Sequence, residues 1–289
     1  MVALRLAWRM QRWEILFVAF VCLGLAAAAM WQVAEMRSAI RDENASADTA
    51  MLMVRTAMSV VAFVVGLVLG VPLVAREVEH RTAMLAWPLA SSRLRWLVWR
   101  AAPVVGIGLL LLAIPAIASD QMTQAYLTTS DPGFVDYDSR GVPMLVRSVV
   151  VLVLRIAVGA LIGRLLPALL IGIALSVGLP IGLESVRVHW VASRELTGSE
   201  SPTSGMGAMT TDLRYRLPDG TFIGSDEAED LFLVEEGEAQ PAELPEYVYY
   251  GVSADRYWEV VIRESAALAV GALAIGGFAA LIVDRRRPE

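Results

Sequence analysis

The sequence predicts an all-α polytopic membrane protein, with six transmembrane helices and a small α/β insert between the fifth and sixth helices. Of its 289 residues, 56% are hydrophobic and only 19% are charged, whereas soluble domains are about 45–50% apolar and about 25% charged. The apolar residues also occur in blocks, and a bilayer-spanning helix needs about 20 mostly apolar residues. Composition and block length together therefore predict a membrane protein.

Six apolar blocks are long enough to cross a bilayer. They cover residues 14–31, 56–75, 101–118, 144–163, 165–183 and 265–283. The fourth and fifth form one long apolar region, which we divide at Gly163-Arg164 because a charge and the nearby Pro167 favour a tight turn there. The predicted domains are residues 1–183 with five helices, an insert at 184–263, and 264–289 with the sixth helix and a tail.

The arginines predict the orientation of these helices. All 24 basic residues are arginine, and cytoplasmic loops carry the excess of basic residues. With the amino terminus inside, the arginines at 5, 9 and 12, the 76–100 segment, Arg164 and the three arginines at 285–287 share the cytoplasmic face. The loops near 32–55 and 119–143 are acidic and would lie outside. Both termini are thus predicted to be cytoplasmic, and residues 2–13 read equally as an interfacial helix or a charged leader.

The insert at 184–263 is the largest part outside the membrane and is predicted to be extracytoplasmic. It contains LRYRLPDGTFIG, two strand-like runs joined by Pro218-Asp219-Gly220, which is a hairpin signal. The insert is either a small cap packed over the helices or a partly mobile loop.

Composition also excludes several kinds of chemistry. Without lysine, the chain cannot form a P-loop or a Schiff base, so ATP hydrolysis of that type needs another chain. Cys22 is the sole cysteine, and the two histidines, His80 and His189, are far apart, so we expect no disulfide, metal site or cofactor. The net charge of −6 argues against nucleic acid as a partner. The absence of lysine and the abundance of alanine suggest a GC-rich bacterial genome.

Two ionisable residues stand out in the predicted helices. Arg155 lies in the fourth helix, where a charge is expensive and suggests a functional site. It would meet an anionic substrate group on a pathway, or form a structural ion pair or contacts with backbone carbonyls. Glu264 opens the predicted sixth helix, where the helix dipole favours a carboxylate. The glycine pairs 66/70, 159/163 and 178/182 have the spacing of close helix packing, within the chain or between subunits.

The segment from Arg76 to Arg100, REVEHRTAMLAWPLASSRLRWLVWR, is the most informative one. Its arginines fit a cytoplasmic anchor, but such an anchor does not require Glu77 and Glu79. We predict an amphipathic helix over 76–87, ended by Pro88, with both glutamates exposed. A second helix, capped by Ser91 or Ser92, then leads into the third crossing.

The run GLVLGVPLVAREVEHRTAMLAWPLASSRLRWLVWR resembles the second crossing, coupling segment and third crossing of bacterial ABC transporter permeases of the type-2 exporter class. VGALIGRLLPALL and the carboxy-terminal DRYWEVVIRESAALAVGALAIGGFAALIVDRRRP are also similar to that family. The resemblance implies a docking surface for an ATPase, made of Arg76, Glu77, Glu79, Arg81, Thr82, Trp87, Arg93 and Arg95. Arg81, Pro88 and Arg155 depart from the family pattern.

The resemblance further implies a transport subunit of the bacterial plasma membrane, which is not itself an enzyme. It would work with a second permease chain, identical or different, and with two P-loop ATPase subunits that bind ATP and Mg²⁺. A membrane-anchored enzyme, or an immunity-type protein that binds through the insert at 184–263, is the alternative.

Overall fold

The computed structural model describes residues 2–42, 48–80, 92–126, 133–190, 193–196, 207–217, 219–224, 227 and 246–285. Its helices are α1 (Val2–Asp42), α2, α3 (Arg93–Tyr126), α4 (Gly141–Ile162), α5 (Leu165–Trp190) and α6 (Tyr257–Arg285). Helix α2 is continuous from Asp48–Val65 through a π-helical turn at Gly66–Gly70 into Val71–Glu79. Each of the six has a stretch long and apolar enough to cross a membrane, which confirms the predicted class.

The six membrane-spanning stretches agree with the predicted blocks, and all but the fifth are longer than predicted. They are Gln11–Ser38, Met51–Glu79, Arg93–Ala125, Gly141–Ile162, Leu165–Gly182 and Ala254–Arg285. Helix α1 has non-helical dihedral angles at Gln11, so a break separates the arginine-rich start of the chain from the first crossing. Helix α5 ends at Trp190 and α6 begins at Tyr257, so both helices extend into the range 184–263 that was predicted for the insert.

The predicted turn between the fourth and fifth crossings is confirmed. Gly163 follows α4 with a φ of 66°, and its amide donates a hydrogen bond to the carbonyl of Gly159. Glycine adopts this left-handed conformation without a steric penalty, which is why it commonly ends helices. Helix α5 begins two residues later, at Leu165.

The described residues divide into two compact units. The first holds most of the helices, as residues 1–126, 136–183 and 261–289, and the second comprises residues 127–135 and 184–260. The apolar core of the first unit contains buried residues of α1 to α4, among them Val18, Val65, Leu112 and Leu152. Most side chains of α5 up to residue 182 are exposed, and few of those of α6 are buried, as expected for surfaces that face lipid.

The second unit contains a four-stranded antiparallel sheet in the order β1-β4-β2-β3. Its strands are β1 (Arg194–Leu196), β2 (Met209–Arg216), β3 (Phe222–Gly224) and β4 (Glu246–Val252). β2 and β3 are joined by the predicted hairpin, in which Gly220 has a φ of 85°. In that turn, the hydroxyl and amide of Thr221 donate hydrogen bonds that hold the pKa of the Asp219 carboxyl below its usual range.

Candidate functional site

The two ends of the predicted coupling segment are described, whereas its centre is not. Helix α2 ends at Glu79, and α3 begins at Arg93. The Ser92 hydroxyl accepts a hydrogen bond of 3.1 Å from the amide of Arg95, so Ser92 is the cap of α3, one of the two predicted candidates. Arg81, Thr82 and Trp87 lie outside the described residues.

Glu77 forms an ion pair inside the chain. Its carboxylate contacts the guanidinium of Arg100 from α3, and both side chains are about 10% exposed, at 11% and 10%. The prediction that Glu77 is exposed is therefore wrong. Removing either partner would leave a buried, uncompensated charge, which is more costly than losing a surface ion pair. This pair fixes the end of α2 to the first part of α3.

Glu79 connects the same helix end to α5. Its Oε2 accepts a hydrogen bond of 2.8 Å from the amide of Leu165, the first residue of α5. The first amides of a helix have no partner within the helix, and the helix dipole favours a negative charge beside them. Glu79 is exposed, as predicted, and it links α2 to the start of α5.

Two further arginines connect this region to α1 and α6. Nη1 of Arg76 donates to Oε1 of Glu14 in α1 at 2.8 Å. Nη1 of Arg93 donates to the backbone carbonyl of Asp284 at 2.8 Å, near the end of α6. We call the set Glu14, Arg76, Glu77, Glu79, Arg93 and Arg100 the Glu77 cluster. Arg95 is exposed and makes none of these four links.

The Glu77 cluster therefore joins five of the six membrane helices at the two ends of one short segment. The fourth helix is close by, because only two residues separate its end at Ile162 from Leu165.

Arg155 is enclosed between α4, α2 and α5. Its side chain is fully buried, and its Nη2 donates to the hydroxyl of Ser176 in α5 at 2.7 Å. A Cβ atom on Gly70, in the π-helical turn of α2, would lie 2.7 Å from the Cβ of Arg155, and one on Gly66 would lie 3.3 Å from its Cγ. The two glycines thus make room for the arginine stem, and turns of this kind occur frequently at functional sites.

A comparison with protein families matched residues 3–187 to the family described as ABC-2 membrane transporter related. The match spans more than half of the chain and includes α1 to α4, most of α5, and the segment between α2 and α3. The chain belongs to this ABC-2-related family. Searches of curated proteins and of solved structures found no match. The membership identifies a permease-type membrane component of a transporter.

A second group of ion pairs in this ABC-2-related permease was missed by the sequence reasoning. The carboxylate of Asp136 accepts hydrogen bonds from Arg55 in α2 and Thr123 in α3, the latter at 3.2 Å. Arg140 donates to Asp120 at 3.2 Å. Asp136 has a φ of 53°, a left-handed conformation that Asp tolerates better than most residues. No periodic pattern marks this connection in the sequence.

Arg147 and Glu264 belong to the same group. Arg147 pairs with Asp138 and, at 2.6 Å, with Glu264, and the side chains of Arg147 and Glu264 are 11% and 15% exposed. The prediction that Glu264 opens the sixth helix is wrong, because α6 begins seven residues earlier at Tyr257. We call Arg55, Asp120, Thr123, Asp136, Asp138, Arg140, Arg147 and Glu264 the Asp136 cluster. It joins α2, α3, α4 and α6.

Both clusters in this permease are built from ion pairs and from hydrogen bonds made by charged side chains. Among the described residues, no group of three or more His, Cys, Asp or Glu side chains is arranged to hold a metal ion. The clusters lie near opposite ends of α2, since Arg55 and Glu77 are separated by a helical rise of about 33 Å. That rise is close to the bilayer's hydrocarbon thickness of about 30 Å. The permease is therefore tied together by ion pairs at both ends of its membrane-spanning part.

Proposed function

We propose that this chain is the membrane-spanning subunit of an ATP-driven exporter, which couples ATP hydrolysis on a separate ATPase subunit to substrate export. The observation that carries the proposal is the Glu77 cluster. It connects both ends of the segment between Glu79 and Arg93 to five membrane helices. A partner that moves this segment would therefore move the helices with it.

The Glu79 hydrogen bond gives this coupling a direct route to α5. Helix α5 contacts the rest of the first unit along one stripe that includes Ala168 and Gly172, while most of its other side chains are exposed. A helix with so few buried contacts is displaced at a lower free-energy cost than one in the core. We infer that a movement of the α2 end is passed through Glu79 to the start of α5.

The proposed complex contains two P-loop ATPase subunits, which bind ATP and Mg²⁺, and a second permease chain, identical or different. The lysine-free sequence supports a separate ATPase, because a P-loop lysine is needed at the phosphates. The arginine distribution supports a bacterial plasma membrane location with both termini and the Glu77 cluster in the cytoplasm. Arg81, Thr82 and Trp87 are the proposed contacts to the ATPase, together with Arg76, Arg93 and Arg95.

We expect Glu79→Ala to reduce ATP-coupled activity at least about tenfold while the ATPase remains bound. Alanine removes the acceptor for the Leu165 amide, so the movement of α2 no longer reaches α5 through this bond, and a charge-assisted hydrogen bond contributes about 1.5–3 kcal/mol. The measurement is permease-dependent ATP hydrolysis in liposomes by the complex of this chain with a P-loop ATPase that co-purifies with it. Co-purification on a tagged ATPase measures binding separately.

The matched variants are Glu79→Gln and Glu195→Ala. Glutamine keeps an oxygen that accepts the Leu165 amide, so it should retain most of the coupled activity. Glu195 pairs with Arg216 in the sheet, with both side chains at least one-third exposed, and its loss should have little effect. Wild-type coupling in Glu79→Ala would disprove the Glu79 route.

The docking surface is tested by Trp87→Ala, which we expect to lower ATPase co-purification at least several-fold. Buried aromatic anchors commonly dominate the free energy of an interface. Trp258→Ala is the control, because Trp258 lies near the start of α6, at the end where the Asp136 cluster lies, and is 61% exposed. Unchanged binding of the ATPase by the Trp87 variant would contradict docking at this segment.

A further inference from the structure

Arg155 has hydrogen-bond donors that the chain does not use. Its Nη2 donates to Ser176, but its Nε and Nη1 are buried and have no hydrogen-bond partner among the described residues. It is also fully buried. It lies seven positions before the end of α4 at Ile162, a rise of about 10 Å, so it lies within the hydrocarbon layer.

Arg147, two turns earlier on the same helix, is a buried arginine that has counter-charges, although its Nη2 also lacks a well-aligned hydrogen bond. It is paired with the carboxylates of Asp138 and Glu264. Among the described residues, Arg155 has only the neutral hydroxyl of Ser176 as a hydrogen-bond partner. A buried guanidinium without a counter-charge is costly, particularly in a membrane, and residues of this kind usually mark a substrate or ion path. An anion would supply the counter-charge that no described residue gives Arg155.

The surroundings of Arg155 are built to hold its side chain. Gly66 and Gly70 of α2 flank its stem, and a Cβ on Gly172 of α5 would lie 3.7 Å from its Nη1. Helix α5 closes the remaining side of this enclosure, although most of its described side chains up to residue 182 are exposed. Separation of α5 from α2 would uncover the unused donors toward the lipid-facing side of the helix, because Leu170 and Ile173 there are 61% and 52% exposed.

We propose that Arg155 binds the oxyanion, carboxylate or phosphate, of an anionic substrate that reaches it along α5, and this rests on the proposed transport function. The unused Nε and Nη1 donors of the guanidinium can hydrogen-bond to the oxygens of such a group, and its charge complements the anion. The apolar exposed side of α5 fits an amphiphile whose acyl chain stays in the bilayer. The substrate class is then an acidic, lipid-like molecule.

The test measures binding by the purified full chain in a neutral detergent, without ATPase. Oleate is the anionic amphiphile, oleyl alcohol its neutral counterpart, and inorganic phosphate the free oxyanion. We expect saturating oleate to raise the unfolding midpoint of the wild-type chain by at least about 4 °C. Arg155→Gln should weaken oleate binding at least about tenfold, because it removes the charge-assisted hydrogen bonds.

The comparison between ligands separates the possible sources of the oxyanion. If only oleate raises the unfolding midpoint, and does so only when Arg155 is present, the ligand is an anionic amphiphile. If inorganic phosphate raises it as well, the site binds a free oxyanion. Equal shifts in the wild type and Arg155→Gln, or no shift with any ligand, would overturn the proposal. Arg147→Gln is the control. It leaves Arg155 intact, so oleate should still raise the unfolding midpoint of this variant. If Arg155→Gln does not fold, Arg155→Lys replaces it in the test. Lysine keeps the positive charge but not the planar guanidinium, so this variant should bind oleate more weakly than the wild type.

Because this experiment contains no ATPase, its failure leaves the coupling proposal intact. The Glu79 test, conversely, depends on ATP hydrolysis and not on the identity of the substrate.

Discussion

Replacing Arg147 with methionine is expected to lower the free energy of unfolding by about 3 kcal/mol, because it breaks a buried ion pair. Arg147 lies between the carboxylates of Asp138 and Glu264. Methionine preserves most of the side-chain volume, so the expected loss comes from charge rather than from a cavity. The substitution leaves the carboxylate of Glu264, which is 15% exposed, without its arginine partner and close to the carboxylate of Asp138. The measurement is unfolding in mixed micelles titrated with SDS.

The matched control is Arg214→Met in the sheet. Arg214 pairs with Asp212, but the side chains are 50% and 48% exposed, and surface pairs of this kind contribute about 0–1 kcal/mol. The double variant Arg147→Met, Glu264→Gln should recover part of the stability, since it removes the stranded carboxylate. If Arg147→Met costs no more than Arg214→Met, the Asp136 cluster is not a structural tie between the helices.

The crossings were predictable because each is recorded locally in the sequence. Block length gave six helices, and the charge at Arg164 with Pro167 nearby gave the turn at Gly163. The Pro218-Asp219-Gly220 triplet gave the hairpin that joins β2 and β3. Each of these features depends on residues within a few positions of one another, which is the range over which turn chemistry and hydrophobic blocks act.

The pairing of charges was not predictable in the same way. Glu77 and Arg100 are 23 positions apart, and their contact depends on how α2 and α3 are rotated about their axes. Asp136 meets Arg55 across 81 positions, from a connection before α4 in which Asp136 itself has a left-handed backbone conformation. From the sequence alone, Glu77 reads as an exposed docking residue, whereas the structure has it buried against α3.

This difference changes how the coupling segment is understood. An exposed glutamate would bind the partner directly, but the Glu77–Arg100 pair instead ties the end of α2 to α3. In the proposed complex, direct contact with the ATPase is made by Arg76, Arg93 and Arg95 and by the centre of the segment. Reversing the charge of Glu77 would damage folding before it tested docking, so Glu79 is the more informative position for measuring coupling.

The second large effect on stability is expected at a contact between helices. The structure distinguishes two glycines that have the same spacing pattern in the sequence. Gly159 and Gly178 both belong to small-xxx-small pairs, yet a Cβ on Gly159 would lie 2.6 Å from the carbonyl oxygen of Val71, whereas one on Gly178 would meet nothing within 4 Å. A backbone carbonyl cannot rotate away as a side chain can. Close approach of α4 to α2 therefore requires glycine at position 159.

We expect Gly159→Ala to destabilise the isolated chain by about 2 kcal/mol, because overpacking of a close contact typically costs about 1–3 kcal/mol. Gly178→Ala is the matched control. Alanine is favoured over glycine in a helix by roughly 0.5–1 kcal/mol, so this variant should be neutral or slightly more stable. Unfolding of both variants in mixed micelles measures the difference. Equal stabilities would mean that α2 and α4 do not meet through Gly159.

The enclosure of Arg155 depends on the same helix contact, so Gly159→Ala should also weaken the binding of an anionic amphiphile.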